Sequence, residues 1–188
     1  MNIRLSGLEF RRQMLHVIFG LFLVVMLYLG WFNIYHMIGI LVLGVVLSRL
    51  CVKYRVPLAS YVMDKFERAE FRKRFPGKGP IFFMVGSIIV LLLFPLKIAL
   101  ASMVILSIGD GLSHIFGKLL CKRKYKYLKS VEGTILGMGF SLLGALFFVS
   151  FVPALFAVLS SLLLENFKTG VEDNIMIPIV AAVVLSLF

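Results

Sequence analysis

The sequence predicts an all-α fold: a polytopic membrane helical bundle of about seven transmembrane helices, with six as the alternative count. Three observations carry that expectation. First, 61% of the 188 residues are hydrophobic and only 15% are charged, with a mean hydropathy of +1.02. A water-soluble domain of this size has no interior large enough to hide so many apolar side chains. Second, the apolar residues fall in long runs separated by short charged clusters, the pattern of helices that cross a bilayer. Third, the charges are distributed unequally between the two ends of those runs.

In chain order the candidate spans are about 13–30, 32–50, 81–95, 97–117, 134–151, 153–165 and 174–188. A span needs roughly 20 apolar residues, fewer where the bilayer thins. The third, sixth and seventh are short, and the sixth and seventh could be partial. No small-x-small cleavage site follows the first run, so it reads as a retained span rather than a signal peptide. Between the second and third runs, Leu58, Tyr61, Val62, Phe66 and Ala69 recur at helical spacing. Asp64 with Arg68 and Glu70 with Arg74 form i,i+4 pairs, acid first. Residues 57–74 therefore predict one amphipathic helix lying in the membrane interface, ended by the segment Pro76 to Pro80. Residues 1–188 read as a single integral-membrane catalytic domain.

The net charge is +11. If the spans alternate in direction, all of the twenty Lys and Arg residues except Lys97 fall on one side. The positive-inside rule makes that side, and the N-terminus, cytoplasmic in a multi-pass protein of the cell membrane. The basic excess is then a topology signal with attraction to anionic membrane lipids, and nucleic-acid binding is not needed to explain it. Trp31 and Tyr35 read as interface anchors, and His36 beside them as an interfacial residue with no role. Cys51 and Cys121 have no metal-ligand spacing and read as unpaired thiols.

The nine acidic residues are more informative. Asp64, Glu67 and Glu70 belong to the interfacial helix. Glu9, Asp110, Glu132, Glu165, Glu172 and Asp173 all fall near cytoplasmic span ends. An aspartate inside a membrane helix costs about 2.5–3.5 kcal/mol to insert, so Asp110 in VILSIGDGLSHIFGK requires a partner or a task. Asp110, Ser113, His114 and Gly117 share one helical face, and Gly109 and Gly111 allow another backbone or a ligand close to the carboxylate. A structural Asp–His or Asp–Lys pair and a metal or phosphate site both fit, and His114 could serve either. Glu132 suits a helix N-terminus as well as a site, with Ser130 or Thr134 as cap. GTILG at 133–137 fits a GxxxG packing face. Glu165 and Asp173 stand at the two edges of one cytoplasmic turn, with Glu172 expected in solvent.

Carboxylates with Lys and Arg at one membrane face suit a nucleotide held through Mg²⁺, which takes hard oxygen ligands and leaves phosphate charge for the cations. No Walker A loop is present, because FPGKGP lacks its spacing and its Ser/Thr.

Five stretches together resemble the CTP-dependent lipid kinase family, which includes dolichol (polyprenol), phytol and diacylglycerol kinases. EFRRQMLHV is similar to the family's N-terminal pattern and supplies Glu9, Arg12 and His16, with Gln13 where the pattern has lysine. GKGPIFFMVGSII resembles its glycine–aromatic entry to a span. IGDGLSHIFGK supplies Asp110, Gly117 and Lys118. KSVEGT supplies Lys129, Ser130, Glu132, Gly133 and Thr134, and EDNIMIPI supplies Asp173, Asn174 and Pro178. The resemblance implies transfer of the CTP γ-phosphoryl group to a long-chain lipid alcohol of the polyprenol or dolichol type, giving a lipid phosphate and CDP. It implies Asp110, Glu132 and Asp173 as catalytic carboxylates and Mg²⁺ ligands, with Glu165 as a further candidate. It implies Arg12, His16, Lys118, Lys129, Ser130, Gly133 and Asn174 as nucleotide or phosphate contacts.

A diacylglycerol or phytol kinase is the near alternative. A phosphatidate cytidylyltransferase is a further one, although its extended Lys-Asp and Asp-Arg-x-Asp signature is absent. A small transporter with an Asp110–His114 proton relay is the alternative from another class. Against it, the acids gather at one face and no inverted repeat is visible.

Overall fold

The computed structural model describes residues 6–120, 130–165 and 170–188, all in helices and short connections. Helix α1 (Gly7–Tyr28) starts at Ser6, whose hydroxyl accepts the Glu9 amide at 3.2 Å. Helix α2 (Ile34–Lys53) opens with a capping box. Asn33 Oδ1 accepts the amides of Tyr35 and His36, while the Asn33 amide donates to His36 Nδ1 at 3.3 Å. His36 thus has a structural task that its outer position concealed, satisfying one of the orphan donors at a helix start.

The segment expected as one interfacial helix is two. Helices α3 (Pro57–Phe66) and α4 (Ala69–Arg74) are separated by Glu67 and Arg68, both extended. Tertiary contacts break the helix. Glu67 Oε2 accepts the amide of Gly77 at 2.8 Å, and Arg68 reaches Glu9 on α1. The i,i+4 partner of Asp64 changes with the break: Asp64 pairs with Arg72 at 2.6 Å, and Arg72 also donates to the Cys51 carbonyl at the end of α2. Gly77 takes a left-handed φ of 74°, turning the chain into α5 (Lys78–Leu93).

Helix α6 (Leu96–Val104), a π-helical turn (Ile105–Asp110) and α7 (Gly111–Leu119) form one continuous 24-residue rod. This rod is the mostly buried centre of the bundle, packed by α1, α8 (Val131–Ala145) and α10 (Asp173–Leu185). Helix α9 (Phe151–Leu164) packs between α8 and α10.

Gly7–Tyr28, Ile34–Lys53 and Leu96–Leu119 are long and apolar enough to cross a membrane. Helices α5, α8, α9 and α10 are apolar but shorter. The side-chain distribution agrees with a lipid surround. Large apolar residues stand exposed on the outer faces, among them Ile18, Phe22, Val42, Leu43, Leu143 and Phe156. In water they would form patches far larger than monomeric soluble proteins tolerate. Meanwhile serines at 87, 102, 107, 141 and 161 are fully buried, and four of them donate to carbonyls one turn earlier in their own helices. Small and hydroxylated residues between helices are the mode of packing that membranes favour, because lipid supplies no hydrophobic drive for helix association.

Glycines set the closest approaches around the central rod. A Cβ on Gly133 would strike the Ser113 carbonyl and the Gly117 backbone, and one on Gly137 would lie 2.6 Å from the Gly109 carbonyl. GTILG is therefore a packing face against α7. Gly133→Ala should destabilise the bundle by about 1–3 kcal/mol through overpacking. Gly139→Ala, where the added carbon meets nothing within 4 Å, should be neutral or slightly stabilising. Thermal unfolding of the detergent-solubilised variants compares the two.

Candidate functional site

The charged ends of α1, α5, α7 and α10 meet the α3–α4 pair at one end of the bundle, around a cavity of about 500 Å³. Its polar lining includes Arg12, His16, Lys78, Asp110, Asp173 and Asn174. Phe19, Val62, Met63, Phe66 and Phe83 supply apolar lining beside them. The volume lies within the range of small-molecule sites.

Asp110 is placed by the π-helical turn that ends at it. Such turns widen the helix locally and often mark functional positions. The flanking glycines act as the sequence suggested. Gly111 lets Val17 and the Gln13 backbone of α1 come close, and Gly109 admits Leu162 of α9. Those two approaches bring side chains from other helices to the carboxylate. His16 Nε2 lies 3.7 Å from Asp110 Oδ2, and its ring meets Phe83 edge-on at 5.3 Å. His114 Nε2 lies 3.2 Å from Asp110 Oδ1 and 4.0 Å from Glu165 Oε1. One ligand atom each from Asp110, His114 and Glu165 falls within 4.8 Å of the others, the group among the described residues able to hold a metal ion.

The expected face of Asp110, Ser113, His114 and Gly117 is divided in use. Asp110 and His114 turn to this cluster, whereas Ser113 and Gly117 pack against Gly133 and Gly137 of α8.

Glu9 organises the cations. Its buried carboxylate takes Arg12 at 2.5 Å, Arg68 at 3.1 Å and Lys118 at 3.7 Å, from three separate segments. Lys78 pairs with Glu172 at 2.6 Å, so Glu172, expected to be merely solvated, holds a cation that lines the cavity. Asn174 donates to the Gly79 carbonyl at 3.2 Å, and its buried Oδ1 has no hydrogen-bond partner among the described residues. Pro178, inside α10, has no amide to give the Asn174 carbonyl four residues earlier. Gly86 closes against that carbonyl, since a Cβ there would overlap it.

The remaining candidates separate. Ser130 caps α8, accepting the Gly133 amide at 3.2 Å and donating to Glu132 at 2.9 Å. Thr134 donates to the Ser130 carbonyl at 3.0 Å. These bonds give Ser130, Gly133 and Thr134 roles in starting and packing α8. Glu132 stands in the first turn of α8 and is absent from the cavity lining and from the converging donor group. Asp173 lines the cavity but is likewise outside that group. Of the expected ligands Asp110, Glu132 and Asp173, with Glu165 as the further candidate, Asp110 and Glu165 fall in that group among the described residues, joined by His114. Lys129 lies outside the described residues.

No protein-family model matches the chain, and no solved structure matches it. The chain is similar to Uncharacterized protein MJ1137 of Methanocaldococcus jannaschii, 28% identical over 186 residues. The match covers 95% of this chain and 93% of that protein, so the two are alike along nearly their full lengths.

Sequence reasoning missed Arg68 and Lys78 as site residues. Both were absorbed into a basic run that topology already explained. Lys78 had one usable signal, its place between two glycines at a span entry. Arg68 had none, because its partner Glu9 is 59 residues away. If Arg68 tethers α3–α4 to α1, Arg68→Gln should speed amide exchange across 57–74. The expected change is roughly fivefold, about 1 kcal/mol for a half-exposed guanidinium screened by solvent. Hydrogen-exchange mass spectrometry reads it, with α10 as the unchanged reference.

Proposed function

We propose that the chain is a CTP-dependent lipid-alcohol kinase, acting at the cytoplasmic face of the cell membrane on a long-chain alcohol of the polyprenol type. The observation that carries this reading is the cavity's mixed polar and apolar lining. Cations, carboxylates and apolar side chains line one space, at the charged end of an apolar bundle. An amphiphile with a reactive hydroxyl and a phosphate-bearing donor can share such a space, and holding both there makes the transfer effectively unimolecular. The resemblance of EFRRQMLHV, IGDGLSHIFGK, KSVEGT and EDNIMIPI to the lipid kinase family supplies CTP as donor. In this reading seven segments cross the bilayer: α1, α2, α5, the α6–α7 rod, α8, α9 and α10. The N-terminus is cytoplasmic, and α3–α4 lie at the interface.

In the reaction the lipid hydroxyl oxygen bonds to the γ-phosphorus while the bond to the β-phosphate oxygen breaks. CDP leaves, and the hydroxyl proton passes to a cavity carboxylate. Arg12 and Lys78 offset phosphate charge. The donor group of Asp110, His114 and Glu165 fits a divalent cation, which would supply electrostatic stabilisation of the transferring phosphoryl group. The resemblance implies Mg²⁺ as the kinase's cation, whereas an imidazole among the donors favours a transition-metal dication.

The test is transfer of label from γ-labelled CTP, with ATP in parallel, to dolichol, geranylgeraniol, phytol and diacylglycerol by the purified protein. Labelled lipid should form from CTP, with Asp110→Asn at least about 100-fold slower. Label in a different lipid of the panel reassigns the substrate. No label in any lipid, from a folded protein, overturns the kinase reading and favours an Asp110-dependent transport assay next.

A further inference from the structure

We infer that Asp110, His114 and Glu165 form a binding site for a first-row transition-metal dication such as Mn²⁺, Fe²⁺ or Zn²⁺, with His16 positioning Asp110, and that this site discriminates against Mg²⁺. This deepens the kinase reading and rests on it for what the ion does. The binding itself is measurable without nucleotide or lipid.

The spacing of the donors is the first argument. Two donors each about 2.1 Å from one ion stand about 3.0 Å apart at a right angle, about 3.4 Å at the tetrahedral angle and about 4.2 Å when opposite. His114 Nε2 lies 3.2 Å from Asp110 Oδ1 and 4.0 Å from Glu165 Oε1, inside that span. The His114–Glu165 separation is at the outer limit of an ion pair and too long for a hydrogen bond. The donors also come from elements that need not meet. Asp110 and His114 are i,i+4 on one rod, while Glu165 is the residue that ends α9.

Burial is the second argument. The side chains of Asp110 and Glu165 are 9% and 2% exposed. Two carboxylates brought together away from water repel each other. A dication between them offsets both.

The third argument is His16. Its Nε2 is buried without a hydrogen-bond partner among the described residues, 3.7 Å from Asp110 Oδ2. A ring packed edge-on against Phe83 and facing a ligating carboxylate's second oxygen stands where an outer partner orients a ligand.

The choice of metal follows from the donor set. Mg²⁺ prefers an all-oxygen octahedral shell and keeps several waters. An imidazole among carboxylates suits Mn²⁺, Fe²⁺ and Zn²⁺, whose affinity for nitrogen donors is higher.

The test uses the whole chain in detergent, freed of metal by a chelator and titrated with Mn²⁺ while the free-ion electron paramagnetic resonance signal is followed. One equivalent should bind per chain, and roughly tenfold excess Mg²⁺ should leave it bound. His114→Asn should abolish tight binding. His16→Gln should weaken it by about 10–100-fold, the usual cost of losing an outer partner. Equal competition by Mg²⁺, unchanged binding in His114→Asn, or no binding by the folded protein overturns the site. Should His114→Asn fail to fold, the Mg²⁺ competition on the unaltered chain still decides. A chain that binds Mn²⁺ in this way yet phosphorylates no lipid sinks the kinase reading alone. One that phosphorylates lipid with His114→Asn intact in metal binding sinks this site alone.

Discussion

A carboxylate inside a helical membrane bundle must be compensated, and Asp110 sets the terms on which the surrounding helices can meet. Isolated in hydrocarbon it would destabilise its own rod, so the helices around it have to deliver partners. Delivery needs close approach, and close approach needs the glycines on either side. Gly111 admits α1, which brings His16, and Gly109 admits Leu162 of α9, the helix that ends at Glu165. The position of α1 then fixes Glu9 and Arg12, one to two turns earlier on the same helix. Glu9 in turn draws Arg68 and so seats the α3–α4 pair over the cavity. Much of the charged end can be traced outward from one residue.

The opposite face of the same rod explains why α8 looks different from α1. Here the approach is backbone to backbone, with Gly133 and Gly137 against Ser113 and the Gly109 carbonyl. No charge is exchanged across this seam among the bonds that involve Ser130, Gly133 and Thr134; they start and seat the helix. A central element that is polar on one side and tightly packed on the other can hold its reactive side chains in fixed positions, since the packed side leaves little room for rotation or sliding.

What the sequence disclosed follows the range of the forces concerned. Hydropathy is summed along the chain, so helix positions were readable; the apolar runs correspond to α1, α2, α5, the α6–α7 rod, α8, α9 and α10. Capping is local, so Ser130 was readable as well. The break at Glu67–Arg68 was hidden because local propensity and i,i+4 pairing favour a continuous helix, and only distant partners, Gly77 and Glu9, overrule them. Likewise His36 faces outward beside aromatic anchors, and its capping bond to Asn33 shows only in the geometry.

The site divides along the same line. Asp110 stood out because a single charge in an apolar run is anomalous without any knowledge of neighbours. His114 was visible as one turn away, but nothing along the chain could choose between Glu132, Glu165 and Asp173 as its companion, because all three fall near the same membrane face. The choice was made by helix packing. Glycine contacts press the start of α8 against Ser113 and Gly117, and Glu132 stands just before that seam. Leu162 nestling at Gly109 sets the end of α9 beside His114 and carries Glu165 there. A motif can therefore name the carboxylates of such a site without saying which of them share it. That is decided by where the small residues let the helices touch.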